Sequence, residues 1–231
     1  MDLYKLLDWI DVDKINYYQL SGNKSDKVIY ILEKNLDKLD WWSLSSNINT
    51  IYLLEKNQDK INWWALSLNK NAIDLLEKNM NKISWCALSS NINAIHILEK
   101  NFDKISWRRF SLNINAIDIL EKNFDKVVWS ELSRNKNAIH ILEKNVNKIN
   151  WLSLSANSNA IHILEKNVDK VIWLSLLENK NIFELDLKFL KNRMDIIREE
   201  LMMKIYHPKR FERYLNMGYD IADEQYIDKL N

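Results

Sequence analysis

The sequence predicts an all-α fold, an α-solenoid of about seven to eight helix-turn-helix repeats closed by a C-terminal helical cap. Three observations carry this prediction. Trp41, Trp63, Trp85, Trp107, Trp129, Trp151 and Trp173 recur at one fixed interval of 22 residues. Within each interval the apolar residues are spaced by three and four, the period of a helix face. Glycine and proline are nearly absent, 2 and 1 in 231 residues. Asparagine stands instead at the offsets where turns must lie, because it tolerates unusual backbone angles and its amide bonds nearby main chain.

In chain order, residues 1–16 read as a degenerate half-repeat, a second helix followed by the connector Asp13-Lys14-Ile15-Asn16. Residues 17–182 are the solenoid. Its first unit, 17–40, is longer by two residues near Lys24-Ser25-Asp26-Lys27, with Tyr17 in the tryptophan position and a second helix over Val28–Glu33. The unit from Trp63 to Ser84 serves as the template. Asn62 is an N-cap type, as are Asp40, Ser84, Ser106 and Asn150 before other tryptophans, whereas Val128 and Ile172 break the pattern and should leave two helix starts less well capped. Trp63 and Leu66 share one face of a first helix that Asn69 ends. Asn71 then caps a second helix with the stripe Ala72, Ile73, Leu75 and Leu76, and Asn79 closes it in the left-handed conformation. The helices are expected to span about 6–7 and 8–9 residues, too short to persist without neighbours on both sides. Each tryptophan reads as a core filler whose indole N–H needs an acceptor.

Residues 183–231 form the cap. Phe183 to Ile205 reads as one longer helix, and Pro208 starts another that runs to about Met217. Gly218 ends it, and a short helix follows over 221–230.

Composition excludes several function classes. With 33 basic and 32 acidic residues, the net charge of +1 gives no bulk attraction to nucleic acid or an anionic membrane. No apolar run reaches the roughly 18 residues of a membrane span. The start, Met1 to Lys5, lacks the features of a signal peptide, and Cys86 is the single cysteine. Both point to a reducing, intracellular compartment.

The units Asn-Ala-Ile-His-Ile-Leu-Glu-Lys-Asn at 137–145 and 159–167, followed by Asp/Asn-Lys-Ile/Val and Trp, resemble the short Asn/Trp-rich repeats of proteins encoded by nucleocytoplasmic large DNA viruses. The tail, from Arg193-Met194-Asp195-Ile196-Ile197 through His207-Pro208-Lys209-Arg210 to Gly218-Tyr219-Asp220, is similar to a C-terminal motif of the same giant-virus proteins. The resemblance implies a viral origin, a place in the host cell cytoplasm or the virion, and no enzymatic activity. It carries over no catalytic, metal or cofactor residue. The chain departs from the pattern in lacking a proline between paired turn asparagines, since Lys70 stands between Asn69 and Asn71.

Residue chemistry agrees with a non-enzyme. Ser67, Ser89, Ser111, Ser133 and Ser155 repeat and so are architectural, whereas a nucleophile is normally unique. His96, His140 and His162 share one repeat position with Asp74 and Asp118, on the polar helix face, with His96 beside Glu99. Layers about 9–10 Å apart are wide for shared metal ligands. No metal or cofactor is expected. The informative column is the residue after each tryptophan, which varies against a fixed scaffold. Trp42, Trp64, Arg108, Arg109, Glu131 and Leu152 are the candidate partner-binding residues, since Trp and Arg are favoured hot spots. The plainer alternative is that Trp42 and Trp64 pack against the N-terminal layers. A second varying column, Leu36, Gln58, Met80, Phe102, Phe124, Val146 and Val168, is mostly apolar and expected in the core. The expected function is a scaffold for protein–protein interaction with a host factor or virion component. The alternative is a nucleic-acid-binding solenoid, favoured only by Arg108-Arg109 and the cluster Lys209, Arg210 and Arg213.

Overall fold

The structure, a computed structural model, describes residues 5–216. The chain divides into two compact units, Met1–Ile182 and Phe183–Asn231. The described residues form helices, turns and connectors and no strand, and the first unit is an α-solenoid.

The repeats that start at Trp41, Trp63, Trp85, Trp129 and Trp151 are each built from three short pieces, and the Trp107 repeat lacks the third. In the Trp63 unit these are a first helix Trp63–Leu68, a second helix Ile73–Glu77 and a 3-10 turn Met80–Lys82 that returns the chain to the next first helix. The 3-10 turn recurs at Gln58–Lys60, Phe102–Lys104, Val146–Lys148 and Val168–Lys170. It gives regular structure to the connector that follows Asn79. The observed second helices span only 5 to 6 residues. Leu66, Leu75, Leu76 and Ile83 of this unit are buried, and the equivalent positions join into one continuous core.

Hydrogen bonds between layers explain why the polar positions do not drift. Around Trp107, Ser111 Oγ donates to the Trp107 carbonyl at 2.7 Å and accepts from the Val128 N–H at 3.0 Å. The hydroxyl therefore ties a first helix to the start of the next one. Asn113 Nδ2 donates to the carbonyls of Ser89 and Asn91 in the preceding layer, both at 3.1 Å, while its Oδ1 accepts from the Asn115 N–H at 3.0 Å. Asn47, Asn69, Asn91, Asn113, Asn135, Asn157 and Asn179 are all buried, and each bonds the carbonyl of the asparagine before it. A buried amide needs partners, and here each layer supplies them for the next.

Four local expectations change. Asn71 does not cap the second helix. That helix starts at Ile73 with Ala72 at its N-cap position and no side-chain cap bond, and Asn71 Nδ2 instead donates to the Ile48 carbonyl one layer back. Asn79 is not left-handed: its φ is -132°, and its Nδ2 donates to the Leu75 carbonyl, satisfying a helix-end acceptor directly. Ser84 and Ser106 sit at N-cap positions without a side-chain cap bond, whereas Asp40, Asn62 and Asn150 cap as expected. Val128 and Ile172 make no cap bond. Among the described residues before Tyr17 there is no α-helix, only the 3-10 turn Val12–Lys14 held by Asp11. This stretch carries its own turn chemistry in Asp11-Val12-Asp13 rather than a helical stripe.

The second unit holds the helices Leu187–Ile205 and Pro208–Asn216. The first begins later than Phe183 because Asp186 caps it, accepting from the Phe189 N–H at 2.9 Å. The expected turn at Gly218 and helix over 221–230 lie outside the described residues. No helix of the described residues is long and apolar enough to cross a membrane.

Candidate interaction surface

In a first helix the chain turns about 100° per residue. Trp63, Leu66 and Ser67 therefore face inward, and the second residue, Trp64, faces away. The same holds in each layer. Tyr18, Trp42, Trp64, Cys86, Arg108 and Leu152 are all exposed, and Ser130 is half-buried. Trp42, Trp64, Arg108 and Leu152 thus share one column, with Arg109 and the half-buried Glu131 in the column beside it.

The structure brings these candidates together in two places. The rings of Trp42 and Trp64 lie 6.5 Å apart, inclined by 19°, and remain 49% and 44% exposed. They pack on one another across two layers and not into the core. Arg108 Nε donates to Glu131 Oε1 at 2.9 Å, across one layer. Leu152 stands apart from both pairs along the column. Tyr18 belongs to the same surface and is 63% exposed. Its signal was present in the sequence, since Tyr17-Tyr18 aligns with Trp41-Trp42 and Trp63-Trp64.

The pacemaker tryptophans need a correction. Trp41, Trp63, Trp85, Trp107, Trp129 and Trp151 are half-buried at the core's margin, and Trp173 is exposed. The connector lysine of the same unit covers each half-buried ring. Lys60 lies over Trp41 at 5.2 Å, Lys82 over Trp63 at 4.9 Å, Lys104 over Trp85 at 4.6 Å and Lys148 over Trp129 at 4.8 Å. Lys126 lies over Trp107 and Lys170 over Trp151, both at 5.1 Å. An ammonium over an indole face is attracted by the ring's quadrupole, while the lysine stem covers apolar surface. The second varying column borders this edge. None of its residues is fully buried; Phe102 packs edge-on to Trp107 at 5.1 Å.

On the second-helix face each histidine reaches back one layer. His96 Nε2 meets Glu77 at 3.0 Å, His140 meets Glu121 at 2.9 Å and His162 meets Glu143 at 2.8 Å. The partner of His96 is therefore Glu77 and not Glu99, because the stack places the preceding layer's second helix beside it. Lys56 donates to the Tyr52 hydroxyl, which raises its pKa above the ordinary lysine value. Among the described residues no group of three His, Cys, Asp or Glu side chains is placed to hold a metal ion. A shallow groove of about 210 Å³ lies between second helices, lined by Glu77, Met80, Ile97, Lys100 and Asn101. Ligand pockets usually start at roughly 300 Å³.

No family model, curated protein or solved structure compared with the chain matches it. The surface itself therefore carries the functional argument. Its first helices in four successive layers, Tyr17–Ser21, Trp41–Ser46, Trp63–Leu68 and Trp85–Leu88, contain no charged residue. Charge returns only at Arg108, Arg109 and Glu131.

Proposed function

We propose that the chain is a non-enzymatic repeat scaffold that holds another protein on its first-helix face. The observation that carries this reading is the parallel, half-exposed pair Trp42 and Trp64 in the column whose residues differ from layer to layer. Large aromatic rings left open to water favour a partner that removes them from it. The interlayer asparagine and serine bonds hold the face rigid, so little ordering cost falls on binding. The resemblance to giant-virus repeats suggests a host factor or a virion component as the partner.

Affinity capture tests the reading, comparing the unaltered chain with a Trp42→Ala/Trp64→Ala double variant on infected-cell and virion lysates. A specific protein retained by the first and lost with the second supports it. Recovery of no specific protein, or equal recovery by both, sinks it.

A further inference from the structure

Apart from that face, we infer that the two ends of the solenoid join head to tail, a second copy of this chain completing the repeat that each end leaves open. Leu44, Leu66, Leu88, Leu132 and Leu154 hold one first-helix position and are fully buried between layers. Leu20 and Leu176 hold the same position in the outermost layers, and both are only half-buried. The core is therefore open at both ends. The two ends are unlike and complementary.

The N-terminal end carries the second half of a repeat. Leu6-Leu7-Asp8 matches Leu75-Leu76-Glu77 of the template, and Val12-Asp13-Lys14-Ile15 matches Met80-Asn81-Lys82-Ile83, with one residue more between them. Val12–Lys14 forms the same 3-10 turn as Met80–Lys82. Leu75 and Leu76 are buried, yet Leu7 is 62% exposed and Trp9 beside it is exposed as well. The C-terminal end carries the first half. Its helix Trp173–Leu176 is formed, and Asn179 is bonded to the Ser155 and Asn157 carbonyls of the layer before. No second helix follows, because Asp186 stands where the template has Leu76 and caps Leu187–Ile205 instead. Trp173 is 65% exposed, where the six tryptophans before it are half-buried.

The interlayer contacts have their missing members at opposite ends. Six rings from Trp41 to Trp151 lie under a connector lysine, and among the described residues Trp173 has no such cover. Lys14 is the connector lysine of residues 5–16; among the described residues it pairs with Asp11 at 3.4 Å, largely in water, and lies over no ring. Each ladder asparagine from Asn47 to Asn179 donates to two carbonyls of the layer before. Asn23 stands one rung earlier. Its Oδ1 accepts from the Ser25 N–H at 2.8 Å, as the others accept two residues on, but it is exposed and its Nδ2 reaches no carbonyl among the described residues. The next two carbonyls of the ladder are those of Leu177 and Asn179. A second copy stacked on the Trp173 layer therefore buries Leu7 and Trp9, sets its Lys14 over Trp173 and its Asn23 on Leu177 and Asn179. One tie is absent: Leu177 replaces the serine whose hydroxyl accepts the next layer's N–H, so the joint is weaker than an internal layer and depends on concentration. A joint between unlike surfaces leaves each copy's far end open, so assembly continues past two copies.

Sedimentation velocity on the full chain tests this. The unaltered chain should pass from single chains to species larger than two as concentration rises. A head variant, Leu7→Glu/Trp9→Glu, and a tail variant, Trp173→Glu/Leu177→Glu, should each stay monomeric. Their equimolar mixture should form a species of two chains, because the head variant keeps its tail and the tail variant keeps its head. All four side chains are exposed, and far-ultraviolet circular dichroism checks that each variant is folded. The Trp42→Ala/Trp64→Ala variant should assemble as the unaltered chain does, so the joint and the partner-holding face stand or fail separately. A monomer at every concentration overturns the inference, as does a mass that stops at two copies. End variants that assemble like the unaltered chain, or a mixture of them that stays monomeric, overturn it equally. Loss of assembly in the Trp42→Ala/Trp64→Ala variant would place the contact on the first-helix face and overturn it too.

Discussion

At the scale of single residues, burial separates asparagines that look alike in sequence. Asn113 and Asn115 stand two apart in one turn, but Asn113 is buried with two interlayer carbonyls on its amide, and Asn115 is exposed with one. Removing the first takes a donor from the Ser89 and Asn91 carbonyls and an acceptor from the Asn115 N–H in a buried turn, whereas water replaces the second. Asn113→Ala is expected to cost about 2–4 kcal/mol and Asn115→Ala less than about 1.5 kcal/mol. Urea denaturation of both variants decides it, and equal losses would contradict the ladder. Arg108 and Glu131 give a different balance. Their bond is short, but Arg108 is largely in water, so a double-mutant cycle should return a coupling of at most about 1 kcal/mol. A larger value would mean that the pair organises the scaffold and not the surface.

Among the secondary-structure elements, the first helices are the weak pieces and their starts are unequal. Asn62 accepts from the Ala65 N–H at 2.9 Å, while Val128 caps nothing at the head of the Trp129–Leu132 helix. Val128 nevertheless has the extended backbone of a cap residue, with φ -90° and ψ 97°. Val128→Asn should therefore supply the missing acceptor without strain and stabilise the chain by about 0.5–1 kcal/mol. A lower denaturation midpoint for this variant would show that the half-buried valine matters more than the cap. The pattern of short helices was legible from the spacing of Trp, Leu and Ile. The 3-10 turns were not, because Met80-Asn81-Lys82 carries no periodic signal and its fold is imposed by the need to return Ile83 to the core.

Across the whole solenoid unit, each layer touches only the layers beside it, so damage should stay local. Leu120 is fully buried in the layer that starts at Trp107. Leu120→Ala should cost about 2–5 kcal/mol. Hydrogen exchange should quicken in that layer and the ones flanking it while residues 41–68 keep their protection. Uniform loss of protection would show a single cooperative unit instead. Charge belongs to this scale as well. Each connector lysine lies over its ring, and aspartates precede Lys60, Lys104, Lys126 and Lys170. No salt-sensitive band shift with single- or double-stranded nucleic acid is therefore expected, and one that weakens steeply with salt would restore the nucleic-acid alternative.

The sequence by itself determined the repeat length, the all-α class, the helix faces and the column in which Trp42, Trp64, Arg108 and Leu152 stand. All of these follow from periodicity, which is a property of the chain read in one dimension. Only the tertiary structure decided which partners meet across layers. Asn113 finds Asn91, Arg108 finds Glu131 and His96 finds Glu77, at separations from 19 to 23 residues. No local rule specifies such pairs, since they depend on how one layer is shifted and rotated on the next. The same registration turns Tyr18, Trp42 and Trp64 from three aromatic residues into one exposed strip.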